Sequence, residues 1–333
     1  MLAINRVGGT YMKWQGRQGS SNVEDARGSG GGFSGGGSPM VIGGGGMGCL
    51  GVIAVIIFML MGGNPGDLGG VLGGDPSQQE QTQDNGATSG GSGSQDNPFE
   101  TGNVKKEAEQ VDTKTEQSLD ERGQFASVVL KDTEDVWHEL FKKYDRTYTE
   151  PKLVLYTDGV RSGCGNASAQ MGPFYCPTDQ KVYIDLSFMD ELDKKFNAPG
   201  DFAMAYVIAH EVGHHVQNEL GILPKFHQLR NQLSETEYNK YSVAVELQAD
   251  YLAGVYAKHA QEMGYTDEGD LEEAIKAAHA VGDDTIQEKA IGRANPDTFT
   301  HGSSADRMKW FKKGYEAGDL SEGDTFKALG LEF

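Results

Sequence analysis

The segment Val207-Ile-Ala-His-Glu-Val-Gly-His-His-Val216 constrains this chain more than any other. Val207, Ile208, Val212 and Val216 give it an apolar helical body, and no charged residue intrudes between Ala203 and His210. On a helix, His210 and His214 stand one turn apart on one face, so both imidazoles can reach one metal ion. Glu211 lies about 100° around the helix, near enough to touch a water on that metal without being a ligand. The three positions fit metal-assisted hydrolysis, in which zinc lowers the pKa of the water and Glu211, as general base, removes its proton. Gly213 is expected to leave space beside the metal. His215 points about 100° away from His214 and is set aside as a ligand.

A catalytic zinc needs a third protein ligand and an open fourth position. Glu246-Leu-Gln-Ala-Asp250 supplies two carboxylates on one face of a second predicted helix. Glu246 is the expected third ligand, and Asp250 the carboxylate that orients a histidine, His210. Ala249, Ala253 and Gly254 are small, which lets this helix approach the first one closely.

The folded domain is expected over residues 105–333. Much of the glycine, 47 residues in all, falls before residue 100, among Ser, Gln, Asn and Asp, and such a stretch cannot bury enough apolar surface to offset the entropy of ordering. The expected division is a low-complexity cytoplasmic tail over 1–40, a transmembrane helix over 41–63 and a flexible Gly/Ser/Gln-rich linker over 64–104. No charge occurs from Gly28 to Gly66, and Met47 to Met61 is strongly apolar. Arg6, Lys13, Arg17 and Arg27 precede the apolar run, whereas Asp67, Asp75, Glu80 and Asp84 follow it, with no Lys or Arg until Lys105. The positive-inside rule then predicts a single-pass inner-membrane protein with a cytoplasmic N-terminus and an extracytoplasmic, periplasmic domain.

A net charge of -20 repels phosphate backbones, and no basic stripe reverses it, so nucleic acid is not expected as a partner. Cys164 and Cys176 lie in a Gly-rich segment bounded by Pro173 and Pro177; a disulfide in an oxidising compartment is the favoured reading and a zinc pair its rival.

Periodicity predicts helices over Phe125–Tyr144, Ala203–Leu220 (stopped by Gly221 and Pro224), Glu235–Gln261 and Leu271–Val281. Strands are predicted at Leu153–Thr157 and Lys181–Leu186, and Ser303 or Ser304 caps a last helix through Trp310 and Phe311. The fold class is therefore α+β, mostly helical with a small sheet. His259 and His279 look like ordinary helix-surface residues.

The pairing of His-Glu-x-x-His with Glu-x-x-x-Asp resembles the gluzincin peptidases. Cys164-Gly-Asn-Ala-Ser168, Gly172-Pro-Phe-Tyr-Cys-Pro177, Val182-Tyr-Ile-Asp-Leu-Ser-Phe188, His210 to Gln217 and His301-Gly-Ser-Ser-Ala-Asp-Arg307 resemble, more closely, the bacterial neutral zinc metallopeptidase family of single-pass membrane proteins. That resemblance implies a zincin-like domain, a zinc cofactor and a peptide or protein substrate. By the same analogy an edge strand beside the cleft, Lys181 to Leu186 or the Gly172-Pro173-Phe174 approach, binds the peptide. His301 with Arg307 resembles a pair that polarises the scissile carbonyl. The rival readings are a zincin-like module of the cell envelope that binds peptides or proteins without turnover, and a scaffold that holds no metal.

Overall fold

The computed structural model describes residues 12–27 and 119–333. The apolar segment 41–63, the linker 64–104 and the remainder of the expected tail lie outside them. Among the described residues no helix is long and apolar enough to cross a membrane. In chain order the elements are β1 (Val23–Asp25), α1 (Glu121–Lys143), β2 (Lys152–Tyr156), β3 (Gly159–Ser162), β4 (Gly165–Ser168), β5 (Phe174–Cys176) and β6 (Lys181–Asp185). Helices follow: α2 (Phe188–Lys194), α3 (Asp201–Glu219), α4 (Ile222–Leu229), α5 (Glu235–Glu262), α6 (Asp270–Ala280), α7 (Asp283–Ile291), α8 (Ser304–Ala317) and α9 (Thr325–Ala328).

Four strands form a sheet in the order β1-β2-β6-β5. Strands β1 and β6 lie parallel to β2, and β5 runs antiparallel to β6. Alternation along β2 and β6 sorts their side chains onto two faces. Leu153, Leu155, Val182 and Ile184 join the helical core; Val154, Tyr156 and Tyr183 pack with Phe174 on the other face, beneath Val160 and Ala167 of the β3–β4 hairpin. A disulfide joins Cys164, at the turn of that hairpin, to Cys176 at the end of β5, which excludes the rival zinc pair. Lys181–Leu186 is not the edge beside the cleft, because β6 lies between β2 and β5; β5 holds that edge.

Residues 12–27 belong to the domain, where the sequence suggests a low-complexity tail. Val23, Glu24 and Asp25 pair with Leu153, Val154 and Leu155, and Met12 is 2% exposed. The cations that read as topology signals are used in folding: Arg17 pairs with Asp132, Arg27 with Asp25 and Asp120, and Lys13 with Asp267. Ser20 and Asn22 both donate to Glu134. Backbones bonded in one sheet necessarily share one compartment.

Helix α3 runs through the middle of the helical layer, against α5, α6 and α1. Phe202 to Val212 are all buried, which explains the absence of charge before His210: a helix apolar all round is a central one. A Cβ on Gly213 would stand 3.1 Å from the Ala249 carbonyl oxygen and 3.3 Å from its Cα. Gly213 therefore permits the α3–α5 approach and does not clear room at the metal site. Gly254 faces the other way, onto the Phe311 carbonyl of α8, and Gly314 of α8 meets the Tyr251 carbonyl in return. Side chains at either would collide with backbone, so these glycines set the α5–α8 distance.

The predicted long helices are present within a few residues of their expected ends. Ser234 and Glu237 form a capping box at the start of α5, and Ser303 caps α8 by accepting from the Asp306 amide. The chain beyond Gly221 does not leave the helical layer, since α4 begins at Ile222. Pro224 falls in its first turn, where a missing N–H leaves no hydrogen bond unmade.

Candidate metal centre

One turn of α3 and one turn of α5 face each other across the contact made by Gly213 and Ala249. His210, His214 and Glu246 meet there, with one donor atom from each lying within 4.8 Å of the others. The Nε2 atom of His210 is 3.1 Å from Glu246 Oε2, and that of His214 is 3.5 Å from Glu246 Oε1. Both imidazoles thus turn the same nitrogen toward the carboxylate.

The opposite nitrogens are held from behind. His210 Nδ1 lies 3.0 Å from Asp250 Oδ1, as expected for Asp250. His214 Nδ1 lies 2.9 Å from Gln217 Oε1, a partner that the sequence reading leaves without a role. The Gln217 amide nitrogen donates to the Val245 carbonyl at 2.7 Å and to Gln248 Oε1 at 3.0 Å, so its oxygen must be the atom facing the histidine. With a metal ion bound, each imidazole would keep its proton on Nδ1 and offer its Nε2 lone pair to the shared point. Two such nitrogens and one carboxylate match a three-ligand zinc site with an open position. The signal for Gln217 was its i+3 spacing from His214.

Asp250 is 0% exposed, and its charge is matched there. Arg307 of α8 reaches it with Nε at 2.8 Å and Nη2 at 3.0 Å, and Tyr206 donates its hydroxyl at 2.6 Å. Arg307 also donates to the Val281 carbonyl, and its side chain is 4% exposed. It is therefore the counter-ion of Asp250, and with His301 it lines the cleft. His301 is held by another acid. Asp283 Oδ2 accepts from the amides of Thr300, His301 and Gly302, and Asp283 Oδ1 lies 3.4 Å from His301 Nδ1. Thr300 Oγ1 is 2.9 Å from the same nitrogen, leaving Nε2 as the ring atom available toward the cleft that His301 lines. Nothing local in the sequence marks Asp283, because its partners follow seventeen to nineteen positions later.

Burial works against every charge here, and the partners decide the outcome. For His210, burial lowers the pKa, but Asp250 and then Glu246 outweigh it and raise it to about 9. Burial raises Glu246, yet His214, His301 and His210 hold it well below the usual carboxylate range. Asp250 is likewise lowered, by Arg307 and His210 against burial. Glu211 keeps a raised pKa, chiefly from burial, with His214 and His210 only partly opposing. Glu211 lines the same cleft and is 8% exposed.

His215 is buried on the far side of α3, with Nε2 2.6 Å from the Thr149 carbonyl and Nδ1 3.0 Å from the Tyr175 hydroxyl. It ties the helix to the sheet. His259 bonds the Gly318 carbonyl at 2.9 Å and takes no part in the cleft. The exposed His227 of α4 lines the cleft and was missed; a single histidine beyond a presumed helix stop carries no spacing signal.

Comparison with known proteins agrees with this geometry. The family described as "putative neutral zinc metallopeptidase" matches residues 12–104 and 99–326, so the N-terminal segment of the sheet falls within it. The YpfJ protein of Escherichia coli (strain K12) is 45% identical over 315 residues, covering 95% of this chain and 99% of its own length. Mb2605 of Mycobacterium bovis is 44% identical over 195 residues, covering 55% of this chain and 65% of that protein. No solved structure matches. A family match across almost the whole chain, together with two histidines and a glutamate converging between α3 and α5, makes this protein a member of that neutral zinc metallopeptidase family.

Proposed function

We propose that the chain is a zinc-dependent peptidase in which Glu211 is the general base and His301 steadies the scissile carbonyl oxygen. The observation that carries this reading is the convergence of His210, His214 and Glu246, with both rear imidazole nitrogens tied, beside a cleft that also presents Glu211 and His301. Zinc held by those three residues supplies Lewis acidity toward water and a carbonyl oxygen. Glu211 takes the proton of the attacking water and delivers it to the leaving amine. His301 directs Nε2–H at the oxygen on which negative charge develops. Asp250 and Gln217 keep the two imidazoles in the ligating tautomer.

The substrate is an extended peptide laid along the free edge of β5, entering by Gly172 and Pro173. Phe188, Phe196, Leu223, Phe226 and Ile286 line the cleft and favour a large apolar side chain next to the cleaved bond. The test is zinc content and peptide hydrolysis of the full chain, wild type against Glu211→Gln. Zinc with turnover that vanishes in the variant supports the reading; zinc with no turnover in the wild type favours a binding module, and a chain that takes up no zinc overturns both.

For location we propose the extracytoplasmic side, supported by the disulfide between Cys164 and Cys176. Membrane association through 41–63 is retained. Because β1 and β2 share a sheet, residues 12–27 accompany the domain, and any engagement of 41–63 with lipid begins and ends on that side. Reporter fusions before residue 12 and after residue 333 are expected to give the same sidedness; opposite sidedness would overturn this part alone.

A further inference from the structure

A second acidic group lies at the other end of α3, away from the zinc ligands. One oxygen from each of Asp201, Asp270 and Glu273 lies within 4.8 Å of the others. Asp201 is the first residue of α3 and Asp270 the first of α6. Part of each carboxylate is already used: the Met12 amide donates to Asp201 Oδ1 at 3.1 Å, the Asp267 amide to Asp270 Oδ2 at 2.8 Å, and the Phe202 amide to Glu273 Oε2 at 3.2 Å. Asp201 Oδ2 and Asp270 Oδ1 are buried without a hydrogen-bond partner, and Asp270 is 0% exposed.

Among the described residues no Lys, Arg or His forms an ion pair with any of the three acids, and Lys13 on the neighbouring segment pairs with Asp267 instead. The backbone is also cleared for the group, since a Cβ on Gly200 would run into the Glu273 carboxyl. Lys13 and Lys276 act on them only from beyond contact distance, and three converging carboxylates with orphaned buried oxygens are costly unless something positive sits among them. Burial first, then mutual repulsion, raises Glu273 to about 7.

We propose that Asp201, Asp270 and Glu273 bind one calcium ion, which ties the start of α3 to α6 and to the Met12 segment. The donors are all oxygen, with no imidazole or thiolate to select zinc, and carboxylate sites of this kind suit a hard cation that completes its shell with water. The site is structural and does not depend on the peptidase reading. It holds α3, and so both histidines of the zinc centre, from the end opposite to Asp250.

Calorimetric titration of the zinc-loaded full chain with calcium chloride tests this. One calcium per chain is expected, with the melting temperature rising by about 5–10 °C at a hundredfold excess over Kd. Glu273→Gln should weaken binding at least tenfold and Asp270→Asn should abolish it. Asp270 also accepts the Asp267 amide, so the half-buried Glu273 decides the matter if Asp270→Asn does not fold. Absence of calcium uptake, or equal affinity in wild type and Glu273→Gln, overturns the proposal.

Discussion

The two ends of α3 gather acids in different company. Toward its C-terminal half, Glu246 and Asp250 meet His210, His214, His301 and Arg307, so each buried negative charge has a positive or proton-donating neighbour. At its N-terminus, Asp201, Asp270 and Glu273 meet chiefly one another and backbone amides. The first group is organised before any ion arrives, because the rear of each ligand is fixed by Asp250 or Gln217. The second lacks such support and depends on a charge from outside. A site that does chemistry needs its ligands aimed in advance, whereas a site that only fastens elements together can be completed by the ion itself.

The largest effect should come from Glu211→Gln, with turnover falling about 10³-fold while zinc content stays at one per chain. Residual activity near wild type would break the comparison, since the preorganised end would then lack its base. Next comes Arg307→Leu, which strands Asp250 in a buried position. A loss of about 3–5 kcal/mol in urea unfolding is expected, along with weaker zinc retention. Gln217→Ala sharpens the point, because of the two histidine ligands it touches only His214. Competition against a chelator should show zinc affinity down by about 10–100-fold, with about 1–3 kcal/mol lost in urea unfolding from the Val245 and Gln248 partners left unpaired.

The smallest effect concerns Asp132, a buried acid of intermediate kind: Arg17 pairs with it, yet its Oδ2 has no partner. Burial outweighs Arg17 and raises its pKa from 3.8 to about 7. A carboxyl with a raised folded-state pKa binds more protons folded than unfolded, so its contribution is complete below about pH 4 and is lost as pH climbs to about 7. Melting temperature measured across that window should therefore fall less steeply with rising pH in Asp132→Asn than in wild type.

The metal-ligand cluster was legible because its determinants are local. Ligand spacing on α3 and α5 follows from helical period, and the caps at Ser234 and Ser303 stand where their helices begin. Strand β1 was not legible. Val-Glu-Asp has no alternating apolar pattern, and Glu24 is tolerated in the sheet only because Lys152 and Lys181 reach it at 2.8 and 2.7 Å. The ion pair of Arg307 was not legible for a related reason: its partner is Asp250, on a helix that no short-range pattern links to α8. Gly254 reads as easing the approach of α5 to α3, although what requires it is the Phe311 carbonyl of α8.

The lysine that joins Glu24 to β2 lies 128 residues further along the chain. At roughly 5–20 residues per second, β1 is synthesised about 6–25 s before Lys152 exists. During that interval Lys13 and Arg17 still lack their partners Asp267 and Asp132 for most of the time, and the apolar stretch after them has already been synthesised. The sheet therefore closes late: β1 waits for β2, and Glu24 for Lys152, before the first strand has its neighbour and its counter-charge.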